Sequence, residues 1–286
     1  MKNHFAWAAG SIPGRDHVGT GRLLVGKNNQ DAWRIAAGTD WLAAVVCDGC
    51  GSGKYSECGA NWGAALFASE LKHRLLNSNI PRPTDAQTAR LWVEAVSEQV
   101  VRSLRRMAAE LGEPLAEVMH DYFLFTVLLA VVTEENTWLA ALGDGVWMVN
   151  GVCHTLGPFP GNAPPYVGYR MMTDEGQTPW LILDFLSTQS LQTLLLASDG
   201  AEDLLNAEES FVPGKRELVG SFDQWWCDDR LFRNADAVRR RLALLNTEHH
   251  GVEPNTGTFQ RTPGLLRDDT TLVVLRRKSQ TTDINE

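Results

Sequence analysis

The chain has few of the features that announce a specialised class. No apolar stretch reaches membrane-spanning length without a charge, and the start, Met1 to Trp7, has no uninterrupted apolar core followed by a small-residue cleavage site. A membrane span and a leader peptide are therefore not expected, and the reading is cytoplasmic. Long basic runs are missing too: none exceeds Arg239-Arg240-Arg241, and the net charge is −9. Non-specific binding to nucleic acid or to an anionic membrane is excluded as the main task. Cysteine is scarce and odd in number, five in 286 residues, which argues against a disulfide framework and for a reducing compartment. Cys47 and Cys50 form a Cys-x-x-Cys pair, but no second pair exists to complete a tetrahedral zinc cage. No repeat or shift in composition marks a boundary, so one domain over 1–286 is expected, with a core of about 4–278 and 279–286 as a disordered tail. At 44% apolar and 21% charged residues, the chain is too apolar for disorder.

The first fifty residues read as strands: His4 to Ile12, Ala32 to Ala37 and Trp41 to Cys47, the last apolar enough to be buried on both faces. Residues Ser56 to Leu76, rich in Ala, Leu and Glu, suit a helix. A second helix runs from a Thr84 cap to Leu111, where Val93, Val96, Val100, Leu104, Met107 and Leu111 form one stripe and Gly112 follows. Strands resume at Tyr122 to Val132, Thr137 to Leu142 and Val146 to Val149, as a meander. The proline-rich stretch His154 to Gln177 reads as a long irregular loop. Further strands are expected at Trp180 to Phe185, Leu191 to Ala197 and Thr271 to Arg276, with helical patches at Ala201 to Asn206 and Ala235 to Asn246. Trp225 and Trp226 are expected in the core rather than on a docking patch.

Aspartates punctuate this pattern. Asn29-Gln30-Asp31 precedes one strand, Asp48-Gly49 and Asp199-Gly200 follow two others, Gly143-Asp144-Gly145 joins a pair, and Asp268-Asp269 opens the last. Singly, each Asp-Gly is an ordinary tight turn. Together they place hard carboxylate oxygens at strand ends, where a sheet can gather them around Mg²⁺ or Mn²⁺.

In order and spacing these segments resemble the metal-dependent protein phosphatases of the 2C type across nearly the whole chain. Asn29-Gln30-Asp31-Ala32 matches that family's first motif, Asp48-Gly49-Cys50-Gly51 its Asp-Gly-x-Gly turn, and Gly143-Asp144-Gly145 its Gly-Asp turn. Residues 197–200 match Ala-Ser-Asp-Gly, and Asp268-Asp269-Thr270-Thr271 matches the closing Asp-Asn-x-Thr. Gly14-Arg15-Asp16-His17 and Gly51-Ser52-Gly53-Lys54-Tyr55-Ser56 resemble a bacterial subset.

The resemblance implies an α+β fold, a four-layer αββα sandwich of two antiparallel sheets flanked by helices. It implies two Mn²⁺ or Mg²⁺ ions in a cleft at one end, with Asp48 bridging them, the Gly49 carbonyl on one, and Asp199 and Asp268 on the other. Asp31 would reach a metal directly or through water, and Asp144 would help hold a third, weaker ion. The implied chemistry is one-step hydrolysis of phosphoserine or phosphothreonine by a metal-activated water. The implied partner is a phosphoprotein shared with a cognate Ser/Thr kinase in signal transduction.

The pattern departs from the family at the position that holds phosphate. Where many members carry a phosphate-holding arginine, four residues before Gln30, this chain has Gly26 with Lys27 beside it. His17, Arg15, Arg22, Lys27 or Lys54 are candidates to bind substrate phosphate or donate a proton instead. Cys50 stands where some members have a histidine proposed as general acid, and a thiol is a poor replacement. The Gly49 to Lys54 turn lacks the spacing of a P-loop. Two alternatives stay open: a phosphatase-like module that binds phosphoproteins without turnover, and a phosphatase of small phosphomonoesters, whose choice of substrate would lie in residues 154–177 and 207–264.

Overall fold

The computed structural model describes residues 1–18, 26–172, 178–252 and 257–279. Arg22 and the tail from 280 onward lie outside the described residues, as do parts of the two loops expected to select substrate.

In chain order the elements are β1 (Phe5–Ile12), β2 (Asp31–Ala37), β3 (Trp41–Gly49), α1 (Ser56–Leu76), α2 (Ala86–Leu111), α3 (Leu115–Tyr122), β4 (Phe125–Thr133), β5 (Asn136–Leu142), β6 (Gly145–Val149), β7 (Val152–Leu156), β8 (Leu181–Ser187), β9 (Thr193–Ala197), α4 (Glu202–Leu205), α5 (Gln224–Cys227), α6 (Ala237–Leu245), β10 (His249–Val252), β11 (Phe259–Thr262) and β12 (Thr270–Arg277). Two five-stranded sheets hold most of the strands, one ordered β2-β3-β4-β5-β8 and the other β1-β12-β9-β6-β7. Every neighbouring pair within them is antiparallel. The α+β expectation of two antiparallel sheets flanked by helices describes the molecule.

Side chains alternate across a strand, so a strand buried on both faces serves two cores. In β3, Leu42, Ala44 and Val46 face the other sheet, while Trp41, Ala43, Val45 and Cys47 face the helices. β4 divides likewise: Leu128, Ala130 and Val132 enter the space between the sheets, and Val127, Leu129 and Val131 lie under α1 and α2. The second sheet answers with Leu194, Leu196, Val273 and Leu275 inward, and Leu195, Ala197, Leu272 and Val274 outward against α6 and the segment containing Trp225 and Trp226. Both of those tryptophans are buried. α2 begins one residue later than the expected cap: Asp85 accepts the backbone N–H of Thr88 at 2.8 Å, and Thr88 Oγ1 accepts the backbone N–H of Asp85 at 3.2 Å, closing a capping box.

Three expectations are corrected. Tyr122 ends α3, a helix started by Pro114, and the strand begins only at Phe125. The irregular stretch begins later than His154, because β7 pairs with β6 through Asn150-Gly151, whose φ values of 51° and 86° make the left-handed turn that Asn-Gly favours. The region between α6 and β12 contains the hairpin β10–β11.

Leu128 is 1% exposed at the centre of the inter-sheet core. Leu128→Ala should cost about 2–5 kcal/mol of unfolding free energy, measured by denaturant titration, and should leave the cleft's composition unchanged.

Candidate metal centre

The topology delivers acidic residues from both sheets to one edge. Asp31 opens β2 and faces Asp48, near the end of β3, as its direct partner in the antiparallel register. Asp144 lies in the turn between β5 and β6, Asp199 stands two residues after β9, and Asp268 stands two residues before β12. Asp48, Gly49, Asp144, Asp199 and Asp268 line one cleft, together with His17, Gln30, Cys50, Gly51, Thr126, Pro164 and Tyr166. Its cavity of about 80 Å³ has room for a few water-sized guests. Asp31 lies behind this wall, with Oδ2 accepting the Ser198 hydroxyl at 2.6 Å.

Two glycines allow this convergence. A Cβ on Gly200 would meet the Asp269 carbonyl at 2.1 Å, so the Asp199-Gly200 turn can press against the segment that holds Asp268 and Asp269. A Cβ on Gly14 would fall 2.4 Å from both the Arg267 carbonyl oxygen and the Asp268 carbonyl carbon. That close approach is secured by Arg15 N–H donating to Leu266 O at 2.9 Å and Asp16 N–H to Arg267 O at 3.1 Å, which sets His17 beside the aspartates.

The electrostatics are those of a site built for positive charge. Burial, with Asp269 next, raises Asp31 to about 8. Asp48 is driven well above the ordinary carboxylate range by burial and then by Asp31, Asp199 and Asp144. Asp199 is raised by burial and then by Asp268, and Asp144 reaches about 6 by burial and the charge of Asp199. Among the described residues, buried Oδ1 of Asp31, Oγ1 of Thr126 and Oε1 of Gln30 have no hydrogen-bond partner. Carboxylate, hydroxyl and amide oxygens without protein partners, among carboxylates whose ionised forms repel, are what hard divalent cations would satisfy. The donor set therefore fits the metals that the sequence implies.

The proposed phosphate-binding groups separate. His17 is in the cleft. Lys27 reaches its rim, donating from Nζ to the Gly51 carbonyl. Lys54 is held away by Asp121 at 2.9 Å. Arg15 donates to Gly264 O at 2.5 Å and lines a different, larger cavity. All five cysteines are free. The Cys50 thiol is pushed up by burial, but hydrogen bonds with Ser52 and Tyr166 outweigh this and bring it below its usual value.

Sequence reasoning missed Asp269, Ser198, Thr126 and Tyr166. Asp269 had a signal, since adjacent residues on an extended chain point to opposite sides: Asp268 faces the cleft and Asp269, 3% exposed, faces inward. Thr126 is the register partner of Asp48 on β4, which no local pattern reveals.

A family model for protein phosphatase 2C matches residues 18–231, about three-quarters of the chain. The chain belongs to the protein phosphatase 2C family. In structure it is similar to a bacterial serine phosphatase, at 16% identity over 96% of this chain and 98% of that one, with a TM-score of 0.54. It is also similar to the serine/threonine phosphatase Stp1 of Staphylococcus aureus, at 15% identity over 95% and 94% and a TM-score of 0.55. A third likeness is to PppA of Pseudomonas aeruginosa, a regulatory component of its T6SS, at 17% identity over 96% and 98% and a TM-score of 0.51. At these identities the likeness shows the shared fold. No curated protein matches the chain in sequence.

The raised carboxylates set the direction of a pH dependence. Between the unfolded value near 4 and the folded value of about 8, Asp31 binds a proton when folded and none when unfolded. Stability of the chelated protein should therefore fall as pH rises from about 4 to about 8. Thermal unfolding in EDTA at several pH values should show that fall. Added Mn²⁺ should stabilise more at pH 8 than at pH 5, because the cation competes with those protons.

Proposed function

We propose that this chain is a metal-dependent phosphoserine/phosphothreonine protein phosphatase that hydrolyses its substrate in one step, without a phosphoenzyme. The observation that carries the reading is the convergence of Asp48, Asp199, Asp268 and Gly49, from both sheets, on one cleft. Asp48 would bridge two divalent cations, Mn²⁺ or Mg²⁺, with the Gly49 carbonyl on one and Asp199 and Asp268 on the other. Asp31 would act from behind, directly or through water, and Asp144 would help hold a third. When bound, such a pair supplies an activated water and positive charge for the phosphoryl oxygens.

The chain's own residues would do the rest. Ser198 holds the Asp31 carboxylate in place at 2.6 Å, and Pro164 and Tyr166 wall the cleft. Among the described lysines and arginines of the proposed phosphate set, Lys27 sits at the rim, and it would take the role of the absent arginine. Arg15 and Lys54, tied to Gly264 and Asp121, are assigned no such part here.

A protein substrate is favoured over a small phosphomonoester by a second cavity, of about 740 Å³. It is lined by Ile12, Pro13, Arg15, Asp16 and Val18 among others, residues that stand on either side of the cleft residue His17 in sequence. Such a groove suits the residues around a phosphorylated side chain. A cytoplasmic setting, with a Ser/Thr kinase acting on the same substrate in a signalling pathway, completes the reading. Among the described residues no helix is long and apolar enough to cross a membrane.

With Mn²⁺, the protein should hydrolyse a phosphothreonine peptide faster than p-nitrophenyl phosphate. Asp48→Asn should lower kcat/KM by about 100-fold or more, since it removes a charge that both cations would share. Mn²⁺ binding without turnover of either substrate would favour the non-catalytic binding module instead.

A further inference from the structure

Asp269 holds the place that the family's closing motif gives to asparagine. Its carboxylate is buried and accepts three N–H groups: Oδ1 takes the Gly14 backbone at 2.7 Å and His17 Nδ1 at 2.9 Å, and Oδ2 takes the Gln30 backbone at 2.5 Å. With Asp269 as the acceptor, the hydrogen bond assigns the His17 proton to Nδ1 and leaves Nε2 as the nitrogen that can bind a cation. With its oxygens aimed at buried donors, Asp269 is not free to turn to a cation without orphaning them.

Nε2 of His17 faces Oδ1 of Asp268 at 3.6 Å, and both residues line the cleft of Asp48 and Asp199. This separation is too long for a good hydrogen bond. Two donors each about 2.1–2.2 Å from one cation, at an angle of about 90–115°, lie about 3.0–3.6 Å apart. The spacing is that of neighbouring ligands. Donor atoms of His17, Asp268 and Asp269 fall within 4.8 Å of one another, and the hydrogen bonds assign them different parts. His17 and Asp268 would face the ion, and Asp269 would orient the imidazole from outside, the arrangement commonly found behind metal-binding histidines.

We propose that His17 Nε2 is a nitrogen ligand of the cation held by Asp268, oriented by Asp269, and that this donor makes the site select Mn²⁺ or a similar transition ion over Mg²⁺. The inference rests on the two-cation reading above. Imidazole nitrogen suits first-row transition ions, whereas Mg²⁺ keeps to oxygen donors. The carboxylate behind the ring also raises its basicity, which strengthens it as a ligand. The competing role for His17 is an imidazolium that faces the substrate phosphate and touches no metal.

Electron spin-echo envelope modulation on the Mn²⁺-loaded full chain reads nitrogen bound to the ion, and calorimetric titration reads affinity. Modulation from imidazole ¹⁴N is expected in the wild type and should vanish in His17→Ala. Mn²⁺ affinity should fall in that variant, Mg²⁺ affinity should change far less, and Asp269→Asn should weaken Mn²⁺ binding in the same direction, by about 10–100-fold. Mn²⁺ bound in the wild type without imidazole coupling would overturn the proposal and leave the two-cation reading standing. That spectrum decides the point even if the variants fail to fold. Absence of any Mn²⁺ binding that Asp48→Asn abolishes would overturn the two-cation reading itself.

Discussion

Several carboxylates must share a crevice that burial makes hostile to their charge, and the surrounding structure is organised by that demand. Asp31 and Asp48 are neighbours across a strand pair, and Asp199 and Asp268 come from the opposite sheet. Burial is the first cause of the raised affinity for protons at Asp31, Asp48, Asp144 and Asp199, and mutual repulsion is a further cause at each. Left to themselves such groups would either protonate or push the two sheets apart. The rigid, dry inter-sheet core of Leu42, Val46, Leu128, Leu196 and Val273 holds the sheets together against that push. It fills that space with apolar side chains, so the strain is confined to the strand ends, where a compensating cation can reach it.

Much of the site was legible in the sequence because its members are consecutive with strand ends. An aspartate that closes or opens an apolar run must sit at the rim of a sheet, and enough of them imply a common edge. What was not legible depends on neighbours distant in the chain. Thr126 enters the cleft because β4 pairs with β3 in one register. Whether a basic residue near the site faces it depends on which carbonyl or carboxylate captures it first. Lys54 is taken by Asp121 and Arg15 by Gly264, and nothing local distinguishes them from His17.

The fold shows the same division. Buried strands with long apolar runs, such as β3 and β4, declare themselves, and the residue preference of α1 placed both of its ends. Misreadings fell where two signals overlapped. The aromatic run after Asp121 has strand composition, yet Pro114 had already started a helix that carries through Tyr122. β7 is short and largely exposed, so it shows no alternation. Its evidence was the Asn150-Gly151 turn, overshadowed by the prolines that follow.

The buried Asp269 carboxylate grips the backbone at Gly14 and again at Gln30, while Lys27 N–H closes onto the His17 carbonyl at 2.9 Å. Both flanks of the interval between His17 and Lys27 are thus fastened independently of what joins them. Loop-closure entropy grows only slowly with length, so a change of length in that interval should leave both clasped flanks, and the acidic edge beside them, in place.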